Sequence, residues 1–333
     1  MVNCPSMYKD GVNYNNPGRS GYILMTGQYC GRKRRRFWEI DFLRGICVVL
    51  MVLDHFMYCL FEAVPIINSM LGTSVFAEWT SVARSYWSWN VRRNVRFFVL
   101  LLFFLLCGIS CTLTRSNFRR SMQLAVVAVG ITVITLILSE ITEEDGFTVR
   151  FGVLHMLAAA IFLYAVFDNA AESIADACGN SPGGKRAAWF VRLLPALIGI
   201  IFLTVYLCLY GSLSFENGYY HFDSGVKARE FLGLHAKKSA KMFLSVFIDV
   251  GYDGTFSPGD YFPLLPWAAV VLAGGLIGRF MYHTPAKDGL APLDGIWNKP
   301  LCFVGRHSAL IYVSHMVVIP VLMFLWALVS LLL

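Results

Sequence analysis

An apolar stretch long enough to cross a bilayer, yet carrying charge, limits what this chain can become more than any other feature. The stretch reads Glu39-Ile-Asp41-Phe-Leu-Arg44-Gly-Ile-Cys-Val-Val-Leu-Met-Val-Leu-Asp54-His55 and continues apolar to about residue 63. Ionisable groups inside a spanning helix are expensive, so each one there is a candidate for function. Arg44 and His55 are eleven residues apart. That is close to three helical turns, so both project from one face with about 16 Å of rise between them. Asp41 lies one turn before Arg44 on that face. A cation near one membrane surface and an imidazole deep in the bilayer therefore stand in line. Adjacent residues project about 100° apart on a helix, so Asp54 is expected to pair with a different helix from the one His55 faces.

Six further runs have spanning length: 96–114, 121–139, 151–168, 190–211, 262–282 and 308–331. With 57% hydrophobic and 15% charged residues, they exclude a soluble globular domain. The expected fold is all-α, a polytopic helical bundle of about seven transmembrane helices over residues 38–333. A polar, loosely ordered leader over 1–37 precedes it and lacks the pattern of a secretory signal peptide. Arg32-Lys-Arg-Arg-Arg36, directly before the first span, reads as a cytoplasmic anchor on anionic lipid. The basic residues cluster at the ends of apolar runs, so the net charge of +7 reflects orientation rather than nucleic-acid binding. With the N-terminus cytoplasmic, segments 115–120, 169–189 and 283–307 are cytoplasmic too. The acidic loop Glu140–Asp145 and the long 212–261 segment are then external. Within that segment, 227–240 is expected to be helical, and the apolar 242–248 is too short for a span and reads as re-entrant or interfacial.

Nine cysteines, without Cys-x-x-Cys or Cys/His ligand spacing, call for neither a metal site nor a disulfide framework. Cys107 and Cys111, one turn apart, read as packing residues. The absence of any Asn-x-Ser/Thr sequon favours a bacterial plasma membrane. The Gly274-x-x-x-Gly278 face reads as a close helix contact. The lipid bilayer is the expected partner, and a homodimer is left open.

The first span resembles the opening helix of the heparan-α-glucosaminide N-acetyltransferase catalytic-domain family. That pattern runs Asp-x-x-Arg-Gly, here Asp41 to Gly45, then an apolar run and a polar residue. The Arg44-to-His55 spacing is also similar to that of the acyltransferase-3 membrane enzymes. Phe103–Ser110, Phe151–His155, Asp260–Trp267 and Gly305–His315 resemble later segments of the N-acetyltransferase family, so the likeness covers nearly the whole chain after residue 38. The resemblance implies an integral membrane acyltransferase that moves acetyl from cytoplasmic acetyl-CoA to an amine or hydroxyl of an external saccharide or glycoconjugate. In that scheme His55 is the general base or acyl carrier, with His155, Asp54 or His315 to orient it or relay the proton. His155 is its nearest expected neighbour. Arg44, Asp41 and Arg306, with Tyr312 and His315, form the donor side, and Arg115 or Arg119 stand beside them. Asp260, Tyr261 and Trp267 form the acceptor side.

Two departures from the family stand out. The lysosomal enzyme is longer, with more spans and a luminal domain, and its catalytic histidine lies in a loop beyond this first helix. The corresponding segment here, 64–95, has no histidine. Weight therefore shifts to His55. A proton-coupled secondary transporter is the rival reading of the buried Asp, Arg and His, although no inverted halves are visible. In the plainest alternative Arg44 snorkels to the headgroups and His55 is a packed, inert histidine.

Overall fold

A computed structural model of the chain describes residues 36–114, 116–142, 148–179, 181–210, 212–223, 238–249 and 261–332. The expectations for the leader, Arg115, the Glu143–Asp145 loop, most of 227–240 and Asp260 lie outside the described residues.

The first span is longer than its hydropathy suggests. Helix α1 (Trp38–Tyr58) runs through a π turn (Cys59–Ala63) into α2 (Val64–Leu71), one rod of 34 residues. The π turn has a local cause. Pro65 offers no N–H to the Phe61 carbonyl and its ring crowds that carbonyl, so the ladder slips and the Val64 N–H bonds the Cys59 carbonyl. Gly72 then stops α2 at φ 66°, a left-handed conformation open to glycine. Two helices therefore occupy what the sequence presents as a loop: the end of this rod and α3 (Ala77–Ser88).

Helix α4 (Asn90–Leu113) is followed by the antiparallel neighbours α5 (Asn117–Thr142) and α6 (Val153–Ala177). Helices α7 (Pro182–Val191) and α8 (Leu194–Val205) form an apolar pair bent by 41°. Pro195 sits at the break, where the missing N–H interrupts the ladder. A hairpin follows, β1 (Ser212–Glu216) antiparallel to β2 (Tyr219–Asp223), with Ser212 opposite Asp223 and Glu216 opposite Tyr219. It is the one departure from all-α architecture among the described residues. Helix α9 (Lys238–Phe247) has 10 residues, a length of about 15 Å that cannot cross a bilayer. Helices α10 (Leu264–Tyr282), α11 (Lys299–Arg306) and α12 (Ser308–Leu332) complete the chain.

Among the described residues six helical rods are long and apolar enough to span a membrane, seven if the bent pair crosses as one. The protein is a multi-pass helical membrane bundle. Its spans alternate in direction, which defines a basal end (Trp38, Leu113, Ala177, Tyr282, Arg306) and a distal end (Leu71, Asn90, Val153, Leu264).

Helix α10 is the axis of the bundle, packed against α4, α6 and α8. Backbones nearly touch there. A Cβ on Gly274 would lie 2.4 Å from the Leu105 carbonyl oxygen, and one on Gly108 1.9 Å from that of Val271. The Gly274–Gly278 face is thus consumed within the chain, against α4. Helix α1 rests on α11 in the same manner through Gly45 and Gly305. At the basal end, Arg279 of α10 binds Asp168 of α6 at 2.8 Å, and Arg192 at the bent pair binds Glu172 at 2.9 Å.

Candidate active site

A cavity of about 170 Å³ lies between α1, α3 and α4 and reaches α12 and the starts of α6 and α10. Cys47, Leu50, Met51, Asp54 and His55 form one wall, all from α1. Helix α4 supplies the opposite wall, from Val91 through Arg92 and Arg96 to Phe103, with Tyr86, Trp89, Val153, Phe262 and Tyr312 closing the rest. Trp89 and Val91 place one end of the cavity at the distal end of the bundle. Its deep end lies at Cys47, one turn above Arg44.

Asp54 and His55 part company as their helical offset requires. Asp54 accepts two hydrogen bonds from Arg92, at 2.6 Å from Nε and 2.7 Å from Nη2, and a third from the Tyr86 hydroxyl at 3.2 Å. The Arg92 guanidinium lies 3.7 Å from the centre of the Trp87 ring. Burial, reinforced by the Asp54 carboxylate, raises the Tyr86 phenol, so it remains a donor. This cluster locks α1 to α3 and α4 and gives the buried carboxylate a bidentate partner.

His55 faces α12 instead. Its Nδ1 is 2.7 Å from Nε2 of His315, and the two rings stand 4.8 Å apart. His315 is buried, and its Nδ1 lies 2.9 Å from the Ile311 carbonyl oxygen of its own helix. Tyr312, one turn before His315, borders the same cavity. The partner against His55 is therefore His315, from the donor-side group, rather than His155. His155 points elsewhere: Nδ1 accepts from the Gly152 N–H at 3.3 Å and Nε2 meets the Thr132 hydroxyl at 3.1 Å. It closes the start of α6 against α5 and is not in the cavity wall.

Arg44, some three turns from His55 toward the basal end, meets α4 rather than α12. Its Nη2 donates to the Ser110 hydroxyl on α4, which donates in turn to the Leu106 carbonyl. Arg120 of α5 lies 3.7 Å from the Cys107 sulfur, within electrostatic reach of Arg44. Among the described residues neither arginine has a carboxylate at ion-pair distance. Cys107 and Cys111 are packing residues of the buried core, and Cys107 also meets the Arg120 guanidinium. Asp41 is engaged by Arg306 at 3.3 Å, across the α1–α11 contact.

On the acceptor side, Trp267 is core, packed edge-on against Phe104 and Phe222. The Tyr261 hydroxyl donates to the Ser245 carbonyl and ties α9 to the start of α10. Neither borders the cavity; Phe262 between them in sequence does. Tyr86, Trp89, Arg92, Arg96 and Arg120 were not singled out by sequence reasoning. One signal was present: Arg92 and Arg96 are one turn apart at the mouth of an apolar run. Among the described residues no group of three or more His, Cys, Asp or Glu side chains is arranged to hold a metal ion.

These features define a class: a multi-pass membrane bundle in which a histidine, a carboxylate and two arginines line a chamber. Residues 36–175 and 228–317 match the family described as heparan-alpha-glucosaminide N-acetyltransferase, catalytic. The match covers well over half of the chain, and the chain belongs to that family. Membership supports a transmembrane acetyltransferase, and it implies an acyl donor of the acetyl-CoA type in general. No curated protein and no solved structure matches the chain.

Proposed function

We propose that this protein transfers an acetyl group from acetyl-CoA to an amine or hydroxyl of a saccharide, with His55 as the general base. The observation that carries the reading is the imidazole of His55 in the wall of a chamber inside a bundle of this family. Acyl transfer requires a base beside the acceptor, a charged cradle for the donor's phosphates and a passage poor in water between them. Arg44 and Arg120 are the cradle. They are cations in the basal half whose nearest polar neighbours are a hydroxyl and a thiol, and guanidinium forks suit phosphate oxygens. About 16 Å of helix separates Arg44 from His55, comparable with the reach of a pantetheine arm. Arg306 and Asp41 form the rim through which the donor is threaded.

The acceptor enters at the distal end, where Tyr86 and Trp89 offer aromatic faces and hydrogen bonds to a sugar. Trp267 and Tyr261 support that end from behind. His55 removes the acceptor proton as the acceptor lone pair attacks the thioester carbonyl. Collapse of the tetrahedral adduct breaks the C–S bond, and the departing CoA thiolate takes the proton from His55. The N-terminus faces the cytoplasm in this scheme, in a plasma membrane.

Purified protein in lipid vesicles, supplied with radiolabelled acetyl-CoA and a glucosamine-terminated saccharide, tests the reading. Labelled saccharide should accumulate, and donor binding should weaken in Arg44→Met and Arg120→Met. Transport of the saccharide without acetylation would overturn it.

A further inference from the structure

The two hydrogen bonds around His315 carry information about His55 that neither family membership nor the cavity supplies. A carbonyl oxygen can only accept, so the Ile311 oxygen, 2.9 Å from His315 Nδ1, requires a proton on that nitrogen. In neutral His315 the proton is then absent from Nε2, which holds a lone pair. That lone pair faces His55 Nδ1 at 2.7 Å, so His55 must be the donor and must carry its own proton on Nδ1. The remaining nitrogen, His55 Nε2, has a free lone pair. It makes no hydrogen bond among the described residues, and His55 is one of the residues that line the cavity.

We propose that His315 is the positioning residue of the base. It holds His55 in the Nδ1–H tautomer and so makes Nε2 the atom that accepts the acceptor's proton. The inference rests on the function proposed above. The chain runs from carbonyl to imidazole to imidazole. It repeats the logic by which a carboxylate orients the histidine of a hydrolytic triad, with a neutral ring in place of the carboxylate. A neutral ring suits a membrane interior, where a second buried charge is expensive. The charged pair next door, Asp54 with Arg92, is turned toward α3 and α4 and leaves the histidines to each other.

During transfer, the proton leaving the acceptor's O–H or N–H arrives at His55 Nε2. The Nδ1–H bond to His315 persists and stabilises the imidazolium. The same Nε2 proton then passes to the CoA thiolate, so the pair ends each cycle as it began.

Nitrogen-15 spectra of histidine-labelled wild-type protein in detergent micelles, assigned with His55→Ala and His315→Gln, read the tautomer directly. A proton on Nδ1 and none on Nε2 of His55 is expected; the reverse assignment overturns the proposal. Kinetics give the second arm. In His315→Gln the amide oxygen can sit where Nε2 sits, so turnover should stay within about tenfold of wild type. His315→Leu offers no acceptor and should lose about 10²-fold or more in kcat, with the acetyl-CoA KM unchanged. Equal losses in both variants at matched folded yield, or a loss confined to donor KM, would show a merely structural role. The spectra need no acceptor, so they decide the tautomer even where the chosen saccharide is not acetylated, a failure that would count against the function instead.

Discussion

Two neighbouring residues, Asp54 and His55, turn from one helix to different partners, Arg92 and His315. Asp54 and Arg92 expose only 14% and 5% of their side chains. Removing one member of such a pair leaves a buried charge without a partner and costs about 3–5 kcal/mol. Arg92→Met should therefore lower thermal stability sharply, whereas the double variant Asp54→Asn, Arg92→Met should recover part of the loss. A thermal melt in detergent reads this, and equal melting of the single and double variants would mean that the pair is not coupled. His55→Ala leaves no charge stranded, so its expected effect is different. Acetyl transfer should fall about 10²–10⁴-fold while acetyl-CoA binding persists, because the arginines proposed to hold the donor lie some three turns away. Near wild-type transfer would remove His55 from the mechanism.

At the scale of elements, near-contact between helix backbones decides how the walls of the chamber are held. A Cβ on Gly45 would lie 2.0 Å from the Leu301 carbonyl oxygen, and one on Gly305 1.7 Å from that of Asp41. Carbonyls cannot turn aside as side chains can, so α11 must move away from α1. Gly45→Ala should destabilise the protein by about 1–3 kcal/mol, the usual penalty of overpacking. Gly183→Ala, where nothing lies within 4 Å, should leave the melting temperature in place. The comparison of the two melts is the test; equal shifts would mean that α1 and α11 do not meet this closely. The hairpin is an element of another kind. The Asn90 and Asn94 amides donate to the Asn217 and Gly218 carbonyls, pinning its turn beside the start of α4. Asn94→Ala should loosen that end of the bundle and raise the KM for acceptor more than that for donor.

Across the whole molecule, alternation places the hairpin turn and the start of α7 at opposite ends, and the proposed cytoplasmic N-terminus assigns their sides. A cysteine in place of Asn217, at the hairpin turn, should react with an impermeant maleimide in intact cells. A cysteine in place of Gly183, beyond the basal end of α6, should react only after the membrane is opened. The opposite pattern would invert the bundle and reverse the donor and acceptor ends. The sequence by itself determined the class of this protein. Seven apolar runs leave few alternatives to a membrane bundle, because a backbone in lipid must satisfy its own hydrogen bonds. It also determined that Asp54 and His55 turn to different helices, since helical geometry is local. It did not reveal the hairpin or α2 and α3, which lie outside the long apolar runs and owe their form to turns, caps and neighbours. Only the tertiary structure decided which histidine meets His55. His155 and His315 sit on different spans, and sequence assigns depth along a helix axis but no rotation or neighbour around it. Packing of α1 between α4 and α12 chose His315, sent His155 to Thr132 on α5, and turned Trp267 into core.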